Sequence, residues 1–260
     1  MILETVVTIG RVTEMIKKER KIKSGLALLV VLIAAGVAQG AVTLKVCECK
    51  ACGCQYLSIQ EAIEWASPGD TVLVRSGNFH GNVNISKPII LRGEKWRSDQ
   101  FPLINADGKG SAITVGADMV TVENMRVTNS GNQSGDAGIR VISNNDIIIG
   151  NFASGNGGAG IILERARNCT VSANVAMDNN RGICLATSEG NRLFNNKLYN
   201  NIEDAFDDGK NRWDNGTVGN YYASFSCTDE DDDGICDLAR HIPGGASVDA
   251  LPLTCAAALG

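Results

Sequence analysis

A repeat of 22 residues constrains this chain more than any other feature of its sequence. The segments Ala137–Val141, Ala159–Leu163 and Arg181–Leu185 share a Gly-Ile pair and begin 22 residues apart. Glu203–Asp207 continues the spacing in degraded form. Apolar residues alternate within each segment, a period of two that is typical of a short strand with one buried face. The repeat therefore predicts one such strand per unit, stacked on the same strand of the next unit.

The alternation also predicts which side chains point inward. Ile139, Ile161 and Ile183 share one position of the unit and should stack in the core, whereas Arg140 and Ile162 should point outward. A second apolar segment in each unit places these residues at a matching offset: Ile149, Val171 and Leu193.

A second register in the repeat is polar and consists of paired asparagines. The four Asn-x4-Asn pairs are Asn124/Asn129, Asn151/Asn156, Asn174/Asn179 and Asn196/Asn201. Stacked amides can hydrogen-bond from one coil to the next, and asparagine tolerates the left-handed backbone of a sharp corner. We therefore expect a structural ladder that includes Asn124, Asn151, Asn174 and Asn196, with no ligand required.

Units of this length with several short strands predict an all-β fold, a right-handed parallel β-helix over residues 56–222. A leucine-rich repeat would show its leucine signature, and propeller blades are about twice as long. A solenoid also needs a cap over its first coil. Residues 58–66 predict a short amphipathic helix in which Ser58 and Glu61 form a capping box, and Thr71–Val74 would then begin the first coil.

The first forty residues differ from the rest. A basic cluster at 17–23 precedes an apolar run at 25–38, which suits a signal peptide with cleavage after Gly40. An uncleaved membrane anchor is the alternative. Removing six of the 24 basic and three of the 29 acidic residues leaves 18 and 26, a net charge of −8. Such a chain has no basic stripe for phosphates, so a nucleic-acid partner is excluded.

An acidic loop near the C-terminus has the spacing of a calcium site. Asp229, Asp231, Asp233 and Asp237, with the Ile235 carbonyl, match the ligand positions of an EF-hand loop. Arg240 replaces the final bidentate glutamate, so Asp249 is a candidate to complete the shell. We expect structural calcium as the cofactor, with a solvated acidic turn as the alternative. Segment 223–260 holds this loop.

Nine cysteines in an exported chain predict disulfides and at least one unpaired thiol. Cys227 and Cys236 flank the acidic loop and would staple it. Residues 41–55 form a cysteine-rich segment containing Cys47, Cys49, Cys52 and Cys54. Disulfides to neighbouring coils or to Cys255 are the favoured interpretation of these four, and a zinc, copper or iron–sulfur site is the alternative. We expect Cys169 to be buried beside Ile147 and Cys184 to face outward.

Both ends of the chain resemble the NosD-like β-helix repeat family, whose repeats are also described as carbohydrate-binding and sugar-hydrolase domains. The matching segments are 58–63, 68–74, 84–94, 213–222, 229–237 and 248–253. The resemblance implies a surface protein of archaeal type. The family also contains a periplasmic accessory protein for copper-site assembly, which raises the interest of the cysteine cluster as a metal site.

Four sequons fit an extracellular or cell-surface location and predict glycosylation at Asn84, Asn132, Asn168 and Asn215. An acidic cluster comprising Glu203, Asp204, Asp207, Asp208 and Asp214 could serve glycoside hydrolysis or lyase chemistry. Fold alone does not imply catalysis, however. We therefore predict a secreted or cell-surface, non-catalytic protein that binds or presents carbohydrate at the cell envelope. The alternatives are a self-assembling envelope component, a polysaccharide lyase or hydrolase, and a copper-handling accessory protein.

Overall fold

The computed structural model describes residues 40–259. The predicted signal peptide therefore lies outside the described residues, apart from Gly40. No helix in the described part of the chain is both long enough and apolar enough to cross a membrane.

Three parallel sheets wind around one core, and from β2 to β21 successive strands along the chain belong to different sheets. Sheet 1 consists of β1 (Thr43–Val46), β2 (Thr71–Arg75), β5 (Ile90–Glu94), β8 (Thr121–Glu123), β11 (Ile147–Ile149), β14 (Thr170–Ser172), β17 (Glu189–Phe194) and β20 (Lys210–Arg212). Sheet 2 consists of β3 (Asn78–His80), β6 (Leu103–Asn105), β9 (Arg126–Thr128), β12 (Phe152–Ser154), β15 (Val175–Met177), β18 (Lys197–Tyr199) and β21 (Tyr221–Tyr222). Sheet 3 consists of β4 (Val83–Ile85), β7 (Ile113–Val115), β10 (Ala137–Val141), β13 (Ala159–Glu164), β16 (Arg181–Ala186) and β19 (Glu203–Asp207). The predicted parallel β-helix is confirmed, with about seven coils of about 23 residues.

The inward row of sheet 3 holds the isoleucines of the repeat. Ile139 pairs with Ile113 on one side and Ile161 on the other, and Ile161 pairs with Ile183. All four side chains are fully buried. Ile139 and Ile161 each pack between isoleucines one coil away, and Val83 and Ala205 extend the row at its two ends. The repeated position therefore forms a continuous apolar core.

The register of sheet 1 differs from the prediction by one residue. Ile148, rather than Ile149, pairs with Val171, which in turn pairs with Leu193. The corner between Val141 and Ile148 is one residue shorter than the corner between Leu163 and Val171, and the chain regains that residue before β13. A fixed spacing of 22 therefore holds from β10 to β19 of sheet 3 but not between β11 and β14 of sheet 1.

Buried amides form ladders that run along the rod beside the apolar core. In each ladder one Oδ1 accepts both the backbone N–H and the Nδ2–H of the asparagine one coil before it, at 2.8–3.1 Å. The three ladders are Asn151–Asn174–Asn196–Asn220, Asn156–Asn179–Asn201 and Asn191–Asn211. Each Nδ2 also donates to a carbonyl of the preceding coil or to another ladder member, so the amides satisfy one another away from water.

Asn124 is not part of a ladder, contrary to the prediction. The fully buried Met125 occupies the equivalent position, and its N–H donates to Asn151 Oδ1 at 3.0 Å. Asn124 lies one residue earlier at φ +58°, in the left-handed conformation that asparagine tolerates. Likewise Ser130, not Asn129, donates its N–H to Asn156. The coil that joins β8 to β11 has 26 residues, so Asn124, 27 residues before Asn151, is one residue out of register with the ladder.

The N-terminal end begins earlier than predicted. Strand β1 pairs with β2 in sheet 1, so the solenoid starts at Thr43 rather than at residue 56, and Thr71–Val74 is the second strand of that sheet. Helix α1 (Ile59–Trp65) packs against β1, β2 and β4. The Ser58 hydroxyl accepts the Glu61 N–H at 3.3 Å, which caps the helix at its first turn.

The C-terminal segment covers the other end. Trp213 and Tyr222 are the largest fully buried side chains. Beyond them, β22 (Arg240–His241) and β23 (Val248–Asp249) form an antiparallel pair, and helix α2 (Cys255–Leu259) ends the described chain.

Candidate functional site

The acidic loop brings together three of its predicted ligands. One carboxylate oxygen from each of Asp229, Asp231 and Asp233 lies within 4.8 Å of the others. Asp229 accepts the N–H groups of Asp233 and Gly234 at 3.1 and 3.0 Å, and Asp233 accepts the N–H of Ile235 at 2.8 Å. These bonds hold the turn with its carboxylates converging, the arrangement that an oxygen-preferring cation needs.

The remaining predicted ligands lie elsewhere or have other partners. Asp237 accepts the Glu230 N–H at 3.0 Å and is not part of the converging group. Ile235 forms an antiparallel bridge with Leu253. Asp249 does not complete this site, contrary to the prediction. It is fully buried at the end of an amide ladder, where it accepts from Asn220.

Three disulfides are present. Cys227 pairs with Cys236 across the acidic loop, as predicted. The N-terminal cluster pairs internally, Cys47 with Cys54 and Cys49 with Cys52, rather than with neighbouring coils or Cys255. All four thiols of that cluster are consumed, so in this state they cannot bind a metal as thiolates.

The three free cysteines occupy different environments. Cys255 is exposed. Cys169 is buried, but beside Asp146 rather than Ile147, and burial raises its pKa to about 12. Cys184 points away from the central core as predicted, yet it is only 2% exposed. Burial likewise raises its pKa to about 11. Its neighbours on the outer face exclude water from it, a feature that strand alternation does not reveal.

Those neighbours form the floor of a groove on the outer face of sheet 3. Arg140, Ile162, Cys184 and Phe206 are successive outward residues of β10, β13, β16 and β19. Ile162, Cys184 and Phe206 belong to a second apolar cluster with Ala137 and Ala159. Ile162 points outward as predicted, yet it is only 8% exposed because this outer cluster covers it.

Charged and amide groups line the rim of this groove, which has a volume of about 570 Å³. Arg181 Nε lies 2.7 Å from Glu203, and Glu164, which also lines the groove, accepts from Arg140 Nε outside it at 2.8 Å. The Arg181 guanidinium also lies 4.7 Å from the centre of the Phe206 ring. The loop over residues 132–136 and the side chain of Asn180 complete the lining. We call this feature the sheet 3 groove.

The predicted acidic cluster does not form one surface. Asp204 and Asp207 are buried and accept hydrogen bonds from Ser224 and Trp213 respectively. Asp214 contacts Arg212 at 3.3 Å. Only Glu203 and Asp208 line the sheet 3 groove. The cluster is therefore divided between structural positions and the groove.

The predicted glycosylation sites differ in access. Asn84, Asn132 and Asn168 are exposed, whereas Asn215 is half-buried. The Asn215 Oδ1 accepts from the Thr217 hydroxyl and N–H and from the Val218 N–H.

The groove residues Arg181, Ile162 and Phe206 were not identified as a site from the sequence. The signal for Ile162 and Phe206 was present, since each lies on the outward register of a repeat strand. Arg181 is two residues from the inward-facing Ile183, so strict alternation would place it inward. Outward apolar residues in consecutive coils indicate a covered or ligand-binding surface.

A family model described as "Periplasmic copper-binding protein (NosD)" matches residues 97–227, half of the chain. The chain belongs to this family. Among solved structures, a pectin methylesterase from Aspergillus niger is similar at 14% identity, over 72% of this chain and 69% of that chain. The TM-score is 0.39, and we draw no conclusion from a likeness at that level. No curated protein matches the chain.

The NosD description raises the question of copper, which thiolate, thioether and imidazole ligands suit best. Within residues 40–259, the one group of three or more His, Cys, Asp or Glu side chains able to hold an ion is Asp229, Asp231 and Asp233. These are hard oxygen donors. Six cysteines are in disulfides, and His80 Nδ1 contacts Asp107 at 2.9 Å. The described residues do not fit copper, and we assign no copper chemistry to them.

Proposed function

We propose that this NosD-family protein is exported and binds carbohydrate at the cell envelope through the sheet 3 groove, without catalysing a reaction. The observation that carries the proposal is the composition of the groove, an apolar floor of Ile162, Cys184 and Phe206 beneath a rim of arginine, carboxylate and amide groups. A sugar ring has an apolar face of C–H groups and an edge of hydroxyls, so the two surfaces are complementary.

The rigidity of the groove supports binding. Its floor residues are held in the strand ladder of sheet 3, and Arg181 on its rim is held by an ion pair to Glu203. Donors and acceptors fixed before binding lose little entropy when a ligand arrives. The ion-paired carboxylates are also already placed as hydrogen-bond acceptors for hydroxyls.

Export is supported by the disulfides, which persist in oxidising compartments, and by the family description as periplasmic. Calcium is a structural part of the proposal. Asp229, Asp231 and Asp233 would hold the ion within a loop already closed by the Cys227–Cys236 disulfide.

A glycan array tests the proposal, followed by titration calorimetry with the glycans that bind. Phe206→Ala should weaken binding at least tenfold, because it removes the aromatic part of the floor. Phe194→Ala is the matched control, since Phe194 is a partly buried aromatic in β17 of sheet 1, away from the groove lining. The absence of any glycan ligand, or equal affinity in both variants, would refute the proposal. Product formation from a bound polysaccharide would favour the hydrolase or lyase alternative instead.

A further inference from the structure

A loop between β5 and β6 departs from the regular coil and is hydrogen-bonded to the solenoid. We call residues 95–102 the Trp96 loop. The Ser76 hydroxyl accepts the Trp96 N–H at 2.8 Å and donates to the Gln100 carbonyl at 2.6 Å. One hydroxyl thus ties both limbs of the loop to the solenoid, so the loop presents its side chains in a fixed arrangement.

Trp96 organises two guanidinium groups. The guanidinium carbons of Arg75 and Arg97 lie 4.2 and 4.1 Å from the centre of its ring, within cation–π range. Arg75 is neutralised by Glu94 at 3.2 Å. Arg97 is exposed and forms no ion pair among residues 40–259. Its backbone has φ +57°, a conformation that costs an arginine free energy and persists only when the surroundings impose it.

A further arginine faces the loop from the solenoid. Arg126, on β9 of sheet 2, donates to the Gln100 side chain and likewise forms no ion pair within the described part of the chain. Lys95, by contrast, is paired with Asp99 at 3.2 Å. Two guanidinium groups without carboxylate partners therefore lie around one loop, on a chain whose net charge is −5.

Two adjoining hollows surround these arginines. The first, of about 430 Å³, is lined by residues that include Trp96, Arg97, Ser98 and Arg126. The second, of about 340 Å³, is lined by Arg126 together with Phe101 and Phe152 among others. Arg126, Gln100 and Phe101 line both. Each volume is within the range of small-ligand sites.

We propose that the Trp96 loop and the adjoining face of sheet 2 bind carboxylated sugar residues of an acidic polysaccharide. A guanidinium binds a carboxylate through two parallel hydrogen bonds, which accounts for Arg97 and Arg126. Gln100 and Ser98 provide hydrogen bonds for hydroxyls, and Phe101 and Phe152 provide apolar surface for a ring face. This site lies on a different sheet from the sheet 3 groove and does not depend on it.

The register of sheet 2 favours a chain over a single sugar. Phe152 pairs with Arg126 and Val175, and Lys197 and Tyr221 continue the same outward row, one residue per coil. Successive coils are about 4.8 Å apart, comparable with the length of one sugar unit. A polysaccharide lying along the rod would therefore meet an aromatic or cationic side chain at most coils.

The test uses three trisaccharides as probes: the acidic trimannuronate and trigalacturonate, and the neutral mannotriose. Mannotriose differs from trimannuronate in having CH₂OH groups in place of the carboxylates. Titration calorimetry at low salt should show binding of at least one acidic trisaccharide, at least tenfold tighter than mannotriose. Arg126→Gln and Arg97→Gln should each weaken it at least tenfold, while the exposed Arg192→Gln on sheet 1 should leave it unchanged. Raising NaCl to high concentration should weaken it too, since the contacts are exposed.

Failure of both acidic probes to bind, equal binding of mannotriose, or unchanged affinity in Arg126→Gln would each overturn the proposal. If Phe206→Ala abolishes acidic binding and Arg126→Gln does not, the ligand occupies the sheet 3 groove. That result rejects the Trp96 loop as the site and leaves the proposed function standing. Thermal unfolding of each variant confirms that it is folded before its affinity is compared.

Discussion

Asn220 donates both its backbone N–H and its side-chain N–H to one oxygen of Asp249, at 2.8 and 3.1 Å. The same oxygen accepts the Tyr222 hydroxyl at 2.9 Å, and the other accepts the Leu251 N–H at 3.1 Å. A carboxylate only accepts hydrogen bonds, so it can end a ladder whose last member still has donors to satisfy.

Asp249→Asn should therefore destabilise the protein. The carboxylate accepts from Asn220 and Tyr222 on one oxygen and from the Leu251 N–H on the other. The new asparagine side chain has one oxygen, so its NH₂ group must face N–H or O–H donors on the other side. We expect a loss of about 1–3 kcal/mol in the free energy of unfolding by urea. The exposed Asp178→Asn is the control and should change it little.

The difference in stability between the wild type and Asp249→Asn should depend on pH. Burial raises the pKa of Asp249, outweighing the hydrogen bonds from Asn220. Because the folded state binds this proton more tightly than the unfolded state, the stability it contributes is full below 3.8, the ordinary pKa, and is lost as pH rises through the raised pKa. The difference in stability between wild type and Asp249→Asn should thus narrow with rising pH. A difference that widens would contradict the assignment.

Truncating Ile161 to alanine should leave a cavity between Ile139 and Ile183 and cost about 2–5 kcal/mol. Ile162→Ala should cost less, because its side chain packs on one side only and borders the sheet 3 groove. Ile147, which is 42% exposed, is a suitable control for truncation on the outer face. Equal losses at 161 and 162 in denaturant unfolding would show that the outer cluster is packed as tightly as the core.

Asn174→Ala should lower the free energy of unfolding by at least as much as the loss of a typical hydrogen bond. It leaves the backbone N–H and one side-chain N–H of Asn151 without partners in a region that water does not reach. The Asn196 oxygen loses one of its two donors from residue 174 and keeps the backbone N–H. Each orphaned group costs about 1–3 kcal/mol. The exposed Asn180→Ala should have little effect on the melting temperature. A similarly small effect for Asn174→Ala would mean that water enters the ladder.

Calcium at millimolar concentration should raise the melting temperature of chelator-treated protein, since an ion that binds only the folded state stabilises it. Asp231→Asn should abolish the rise, whereas Asp178→Asn should preserve it. An unchanged melt of the wild type on adding calcium identifies the loop as a solvated turn.

Alkylation under non-reducing conditions should distinguish the cysteines. Cys255 should react in the native protein, because it is exposed. Cys169 and Cys184 should react only after unfolding, because their buried thiols have raised pKa values of about 12 and about 11. The six disulfide cysteines should remain unlabelled until they are reduced. Native labelling of Cys184 would show that the sheet 3 groove is open to its floor.

The features that depend on local spacing were predictable from the sequence, whereas those that depend on distant packing were not. The Ile139–Ile161–Ile183 row follows from a period of 22, and the Cys227–Cys236 disulfide from its position around a loop. The register of Ile148 depends on corner lengths that vary between coils without a signal. The burial of Cys184 depends on neighbours in other coils. The role of Asp249 depends on Asn220, which is 29 residues away.

Each asparagine ladder ends at an aspartate, and this limits where a coil could be added to the solenoid. Asp249, Asp204 and Asp207 terminate the three ladders, accepting from Asn220, Asn201 and Asn211 respectively. All three lie toward the C-terminal end, and the amide-to-amide bonds of each ladder run toward that end. A duplicated coil inserted in the middle would simply lengthen each ladder. A coil stacked beyond the carboxylates would find no N–H donor there for the oxygens of its own amides. The ladders can therefore accommodate an added coil within the repeat more readily than one stacked beyond the carboxylates.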